Sequence, residues 1–194
     1  GGEAVAVKAD ISKKADVAAL FAETKKSFGP ADVLVNNAGI FHFAPLEAID
    51  DPHFHNMFDL NVLGLLYASQ EAVKHFGERG GNIINISSVV GHTPAPGGSV
   101  YSATKAAVES ITRSLALELA GRARVNAIAP GMVDTEGFRV LNPAQEMQDG
   151  FMARAAVKRL GVPDDIAKAA VYLASDDSSW VSGESLVVGG GARL

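Results

Sequence analysis

Residues 82–129 read NIINISSVVGHTPAPGGSVYSATKAAVESITRSLALELAGRARVNAIA, and this stretch decides the fold class. Asn82 to Ser87 is a short run dominated by Ile83, Ile84 and Ile86, too brief for a helix and bounded by Gly81 and the turn-rich segment 91–98. Tyr101 to Leu119 follows with Ala103, Ala106, Ala107, Val108, Ile111, Leu115 and Leu119 at helical spacing, and Gly121 closes it. Arg124 to Ala129 is a second short apolar run. Strand, helix, strand in that order is the unit from which parallel sheets are built, because parallel neighbours need a crossover between them.

The same alternation extends outward in both directions. Upstream, Ala4 to Ala9 is a strand candidate. Lys14 to Phe28 is a helix with Val17, Leu20, Phe21 and Thr24 on one face, stopped by Gly29-Pro30. Asp32 to Asn36 is a strand with Val33, Leu34 and Val35 continuously apolar, and a long helix is predicted from Phe54 to Phe76, ended by Gly77. Downstream, Pro163-Asp164-Asp165 opens a helix to Ala174, and Ser185 to Val188 is a last strand before Gly189-Gly190-Gly191. Apolar strands each followed by a helix predict an α/β fold with a doubly wound parallel sheet covered on both faces. Residues 1–194 are expected to form a single domain, with ligands beyond the carboxyl ends of the strands. Residues 132–162 are the least regular part, a long connection in which Phe138, Met147, Phe151 and Met152 serve either as an apolar lid or as core.

Composition narrows the function. Seventeen Lys and Arg against 22 Asp and Glu give a formal charge of −5, which argues against a nucleic-acid partner. The absence of cysteine excludes a disulfide framework and thiolate metal ligands. Charges or glycines interrupt every apolar run before it reaches the roughly 18 residues of a membrane helix, so no membrane partner is expected. Gly1-Gly2-Glu3 offers neither the basic nor the apolar part of a signal peptide, so a cytoplasmic location is expected. His53 and His55 point apart near a helix start and His42, His75 and His92 stand alone, so no metal is expected. His92, between Ser88 and Tyr101, either lines the pocket or is a solvated loop residue, the second being the preferred reading.

The chemistry-bearing pattern is Tyr101-Ser102-Ala103-Thr104-Lys105. Residues four apart share a helix face, so phenol and ammonium lie side by side, and a neighbouring cation favours phenolate. A tyrosine lowered from its usual value near 10 can pass a proton to or from a hydroxyl or carbonyl oxygen. Alone, the pattern also fits a half-buried Tyr beside a surface Lys. Ser88 stands thirteen residues earlier, beyond the end of the strand 82–87, where its hydroxyl is placed to hydrogen-bond the same oxygen. Ser87 competes with it. Asn61 falls inside a long helix, where a mediocre helix former needs a reason, either organising water near Lys105 or bonding a backbone carbonyl. Asn36-Asn37-Ala38-Gly39 closes its strand with small residues that let a ligand approach the backbone, or simply make a tight turn. Asp10 is an acceptor for an adenine amino group or an N-cap in Asp10-Ile11-Ser12. Pro130-Gly131-Met132-Val133-Asp134-Thr135 follows the strand 124–129 and offers backbone amides to a carboxamide or phosphate.

Taken together, these segments resemble the short, single-domain type of the short-chain dehydrogenase/reductase family. There NNAG, the helix Asn, the Ser, Y-x-x-x-K and PG-x-x-x-T occur in this order and at similar spacing. Arg159-Leu160-Gly161, Pro163, Asp165-Ile166-Ala167, Leu173-Ala174-Ser175-Asp176, Trp180 and Ser182-Gly183-Glu184 extend the likeness from Ala4 to Gly191. The resemblance implies a Rossmann-like domain, NAD or NADP as cofactor, and interconversion of a secondary alcohol and a ketone. It implies Tyr101 as general acid/base, Ser88 positioning the substrate oxygen, Lys105 lowering the tyrosine and holding the nicotinamide ribose, and Asn61 anchoring a relay water. On the cofactor side it implies Asp10 and Ile11 at the adenine, Asn37, Ala38 and Gly39 at the backbone and ribose, and Pro130, Gly131, Val133 and Thr135 at the carboxamide and phosphate. It also implies a homo-oligomer, a tetramer or dimer, in keeping with the apolar excess on the helix that begins at Tyr101.

One departure is large. The family opens with a strand, a TGxxxGxG turn and helix, then a second strand and helix, and nine residues before Asp10 cannot hold them. A βαβ unit needs about 30 residues or more, so the first two βα units of the family pattern are missing from this chain. Gly1 is not a start methionine, so the sequence is expected to be a piece of a longer enzyme. The alternative is a non-catalytic remnant that survives as a folded or oligomerising module. Epimerisation or dehydration of nucleotide sugars ranks last, because 29 positions between Pro130 and Arg159 leave no room for a sugar-binding domain.

Overall fold

The computed structural model describes residues 2–141 and 144–192. Among them are helices α1 (Lys14–Phe28), α2 (Asp51–Phe58), α3 (Leu65–His75), α4 (Ser99–Glu118), α5 (Glu136–Leu141), α6 (Gln145–Arg154) and α7 (Pro163–Ala174). The strands are β1 (Val33–Asn36), β2 (Gly81–Ile86), β3 (Ala123–Pro130) and β4 (Ser185–Val188). All four strands run parallel in the order β1-β2-β3-β4, with Val35 opposite Ile84, Ile84 opposite Asn126 and Ala127 opposite Ser185. This is a Rossmann-like α/β arrangement, with helices on both faces of a parallel sheet.

Period two along the strands sorts the core. Ile83 and Val125 face the side of α3 and α4, with Leu115, Leu119 and Val73 packed around them. Their neighbours Ile84 and Ile128 face the other way, against Ala169 and Leu173 of α7. All four strand residues are fully buried, each contributing about 1.5–3 kcal/mol of apolar burial. A third cluster joins Val17 and Phe21 of α1 to Ala68 and Ala72 of α3. Asn36 and Asn85 inside the sheet are partnered, whereas Asn82 Oδ1 and Ser185 Oγ are buried without a hydrogen-bond partner among the described residues. Asn36 Nδ2 donates to Asn85 Oδ1 across the β1–β2 ladder at 2.8 Å, and Asn85 Nδ2 donates to Thr112 Oγ1 of α4 at 2.9 Å.

The structure corrects three expectations. Residues 4–9 form no strand, although their composition suits one: an apolar run becomes a strand only where a neighbouring edge offers hydrogen bonds, and among the described residues they pair with none. The predicted helix 54–76 starts earlier, at Asp51, where Asp50 accepts from the His53 N–H at 2.8 Å and Pro52 occupies the first turn. It is also split, since Asp59–Gly64 is a π-helical stretch between α2 and α3. Such bulges re-aim side chains at functional sites, and this one contains Asn61. Finally, the irregular connection 132–162 contains α5 and α6, the first capped by Thr135 Oγ1 accepting from Phe138 N–H at 3.1 Å.

Candidate active site

The carboxyl ends of β1, β2 and β3 open on one edge of the sheet, and α4 begins there. Ser88 lies two residues beyond β2 and caps the short turn Val89–Gly91, its Oγ accepting from Val90 N–H at 3.3 Å. The same hydroxyl faces the phenol of Tyr101, in the first turn of α4, closely enough to draw its proton affinity down. Ser87 is used differently. It is 3% exposed, and its Oγ donates to Glu109 Oε1 at 2.9 Å and lies 3.1 Å from the Lys105 carbonyl. The geometry therefore separates the two serines: one faces Tyr101, and its neighbour faces inward.

Lys105 follows Tyr101 by one helical turn, with Nζ 5.7 Å from the tyrosine ring centroid and donating to the Ile86 carbonyl at 2.9 Å. Burial pushes the Lys105 ammonium down to about 8. Tyr101 departs from the expected direction. Burial raises the phenol above its ordinary value, and the Ser88 hydrogen bond pulls only part of the way back. The expected lowering by Lys105 is not among the causes of the shift: the ammonium turns toward the Ile86 carbonyl while the ring lies among Phe41 and Phe43.

Asn61 is 3% exposed and makes three bonds to protein. Its Oδ1 accepts from Ile40 N–H at 2.8 Å, and its Nδ2 donates to the Ile40 carbonyl at 2.8 Å and to Thr104 Oγ1 at 3.2 Å. Thr104 Oγ1 in turn donates to the Tyr101 carbonyl at 2.7 Å. The π stretch thus clamps the loop after β1 against the start of α4. Gly39 sits in the clamp: a Cβ there would stand 3.1 Å from Asn61 Oδ1 and 3.7 Å from Lys105 Nζ.

Asn37, Ala38 and Gly39 are exposed beyond β1. Beyond β3, Gly131 packs so closely on Gly189 that a Cβ would lie 2.8 Å from its Cα, while Val133 bridges to Gly161. Asp134 and Arg139 pair in a two-point contact at 2.7 and 2.9 Å. Phe151 is buried and closes on Gly131, whereas Met147 is exposed. Asp10 is engaged locally: Oδ1 accepts from Ser12 N–H and Oγ at 3.1 and 2.7 Å, which holds its carboxyl below the usual range. Ile11 packs into the α1–α3 cluster and against Gly64.

Sequence reasoning missed Glu109 and Thr104 and misread His92. Glu109 is 3% exposed, and its Oε1 lies 2.8 Å from His92 Nε2 as well as accepting from Ser87. One signal was available: Glu109 stands one turn beyond Lys105 on the same face of α4, the face turned to the sheet. Among the described residues, no group of three or more His, Cys, Asp or Glu could hold a metal ion, and no helix is long and apolar enough to cross a membrane.

A family model described as enoyl-(acyl carrier protein) reductase matches residues 1–193. An oxidoreductase of Methylorubrum extorquens is 48% identical over 195 residues, covering 100% of this chain and 78% of that protein. The chain belongs to the short-chain dehydrogenase/reductase family. It is an NAD(P)-dependent oxidoreductase of that family. The 3beta-hydroxysteroid dehydrogenase 1 of Eggerthella lenta is 43% identical over 203 residues, covering 100% of this chain and 76% of the relative. A gluconate 5-dehydrogenase of Burkholderia cenocepacia, solved in complex with NADP and tartrate, superposes with a TM-score of 0.89 at 34% identity, over 94% of this chain and 72% of that one. The residues present fit such a cofactor: the missing Cβ of Gly39 leaves backbone open beside a lysine ammonium whose hydrogens are not used up by Ile86.

Proposed function

We propose that this chain interconverts a secondary alcohol and the corresponding ketone, with Tyr101 moving the proton on the reacting oxygen. The observation that carries the reading is the convergence of the Tyr101 phenol and the Ser88 hydroxyl at the carboxyl edge of the sheet, near enough for the hydroxyl to lower the phenol. An oxygen bound between those two groups receives two hydrogen bonds, and the phenol delivers its proton as negative charge develops there. Bound NAD(P) supplies or accepts the hydride.

In this reading the backbone of Asn37, Ala38 and Gly39 and the ammonium of Lys105 hold the ribose side of the cofactor. Pro130, Gly131, Val133 and Thr135 hold its carboxamide side, and Asp10 and Ile11 the adenine side. Asn61 acts as a positioning residue, because its amide is engaged by Ile40 and Thr104. Because burial raises Tyr101, the phenol is protonated at neutral pH and ready to donate, which suits ketone reduction. Residues 1–194 work as one domain in a cytoplasmic homo-oligomer. A groove of about 540 Å³ between α3 and α4, lined by Leu66, Val73, Ile111 and Leu115, supports self-association through α4.

The test is Tyr101→Phe in the full chain. Turnover is expected to fall by about two to four orders of magnitude, while the dissociation constant for NADP or NAD, read by calorimetry, stays within about threefold. Turnover unchanged by the substitution contradicts the assignment.

A further inference from the structure

The segment after Gly39 has no regular secondary structure, yet its side chains alternate as in a strand. Phe41 and Phe43 turn to Tyr101, their ring centroids 5.8 and 6.1 Å from the tyrosine ring and tilted by 44° and 56°. His42, between them, turns the other way, its Nδ1 lying 3.2 Å from Nδ1 of the buried His53 on α2. Both phenylalanines keep much of their surface open, 38% and 43%.

This exposure belongs to a loop fixed at four points. Asn61 holds both backbone groups of Ile40, His53 holds His42, and Ala44 N–H donates to the Gly97 carbonyl at 2.9 Å. The fourth is Gly98, where a Cβ would meet Phe43 Cε1 at 2.9 Å, so a bare backbone makes the room in which the ring stands. Two aromatic rings are thus held ready beside a hydroxyl pair, with open faces and no hydrogen-bonding group of their own. A polyol pressed against them loses water from its hydroxyls without replacement, whereas a flat hydrocarbon ring gains contact on its face and edge.

Building on the function proposed above, we propose that Phe41 and Phe43 are specificity-determining residues, forming the wall of a substrate subsite for flat, ring-bearing, largely apolar secondary alcohols and ketones. Rings carried on an anchored stretch of backbone lose little freedom on binding, so selectivity is carried by the wall itself.

The test compares the reduction by NADPH or NADH, in the full chain, of two ketones of equal carbon number, the flat 2-tetralone and the acyclic 2-decanone, and of fructose as a polyhydroxy ketone. In the wild type, kcat/KM for 2-tetralone is expected to exceed that for 2-decanone by about tenfold or more, and fructose to be the poorest. Phe41→Ala and Phe43→Ala are each expected to shrink the ratio of the two ketones by about tenfold, mainly through KM for 2-tetralone. Phe43→Leu keeps apolar bulk but removes the ring plane, and it decides the matter if the alanine variants do not fold. Binding of 2-naphthol, followed by calorimetry, is expected to weaken in parallel. A wild type that takes 2-decanone or fructose as readily as 2-tetralone overturns the inference. So does a ratio untouched in folded variants, or a wild type that neither reduces 2-tetralone nor binds 2-naphthol. Turnover persisting in Tyr101→Phe would instead overturn the underlying function, a separable outcome.

Discussion

Two regions flank the carboxyl edge of the sheet and are held in opposite ways. Around the start of α4 the contacts are buried and mostly to backbone: Asn61 to Ile40, Ser87 to Glu109, Lys105 to Ile86. Among the described residues of the connection 132–162, the side-chain ion pairs are exposed: Asp134 with Arg139, and Arg159 with Asp165 of α7. Buried bonds are strong constraints because breaking one leaves a polar group without water. Exposed pairs are screened by solvent and salt and constrain little. The α4 side is held around Tyr101 and Ser88 by bonds shielded from water, while the side-chain ion pairs on the other side stand open to solvent and salt.

The comparison breaks most sharply at Asn61. Asn61→Leu fills similar space but leaves Ile40 N–H and carbonyl unpaired, so a loss of about 3 kcal/mol in unfolding free energy is expected by urea denaturation, with kcat falling as the loop shifts. An Asn61→Leu variant as stable as wild type would show that the clamp constrains nothing.

Glu109 ranks next. Glu109→Ala strands Ser87 and His92 and is expected to cost about 2 kcal/mol and to lower kcat more than it raises KM. Glu109→Gln keeps an acceptor oxygen and is expected to restore most of both. Equal behaviour of the Ala and Gln variants would show that the Glu109 bonds to Ser87 and His92 hold nothing in place.

The Lys105 shift gives a pH prediction without cofactor. Its folded value is about 8 against a reference of 10.5, so between those limits the unfolded chain binds a proton that the folded chain does not. Stability contributed at this position therefore rises with pH across that window. Melting temperatures are expected to show the rise as a difference between wild type and Lys105→Met, and a flat difference contradicts the burial assigned to Lys105.

The smallest effects belong to the other side. Asp134→Ala and Arg139→Ala are expected to leave the melting temperature nearly unchanged. Asp165 accepts from Arg159 and from Val162 N–H, which depresses its carboxyl far below the ordinary range. Its contribution is present above the unfolded carboxylate range and lost only as pH falls through the depressed folded value. Added salt shrinks that contribution, and a large loss of stability for Asp134→Ala near neutrality would erase the contrast.

Much of this was legible in the sequence, for identifiable reasons. Ile83-Ile84 and Val125 to Ala129 carry strand pattern locally, and α4 and α7 carry helical pattern, so the sheet followed from short-range information. Tyr101, Ser88 and Lys105 were legible because their spacing encodes a helix turn and a strand end. The π stretch at Asp59–Gly64 was not, since one extra residue per turn scarcely disturbs the periodicity around it. The Glu109–His92–Ser87 cluster depends on contacts between distant parts of the chain. Direction also escaped the sequence: side-by-side placement of Tyr101 and Lys105 suggested a lowered phenol, and only the surrounding burial reverses it.

The most direct measurement follows the phenol itself. With tyrosine labelled by 13C at Cζ, the chain's three tyrosines give separable NMR titrations, and Tyr101→Phe identifies the relevant one. The account predicts that Tyr101 titrates above its ordinary value near 10, and higher still in Ser88→Ala, where the bond that lowers it is gone. A Tyr101 that titrates below 10, or one indifferent to Ser88→Ala, would contradict the claim that a buried phenol held by Ser88 carries the proton.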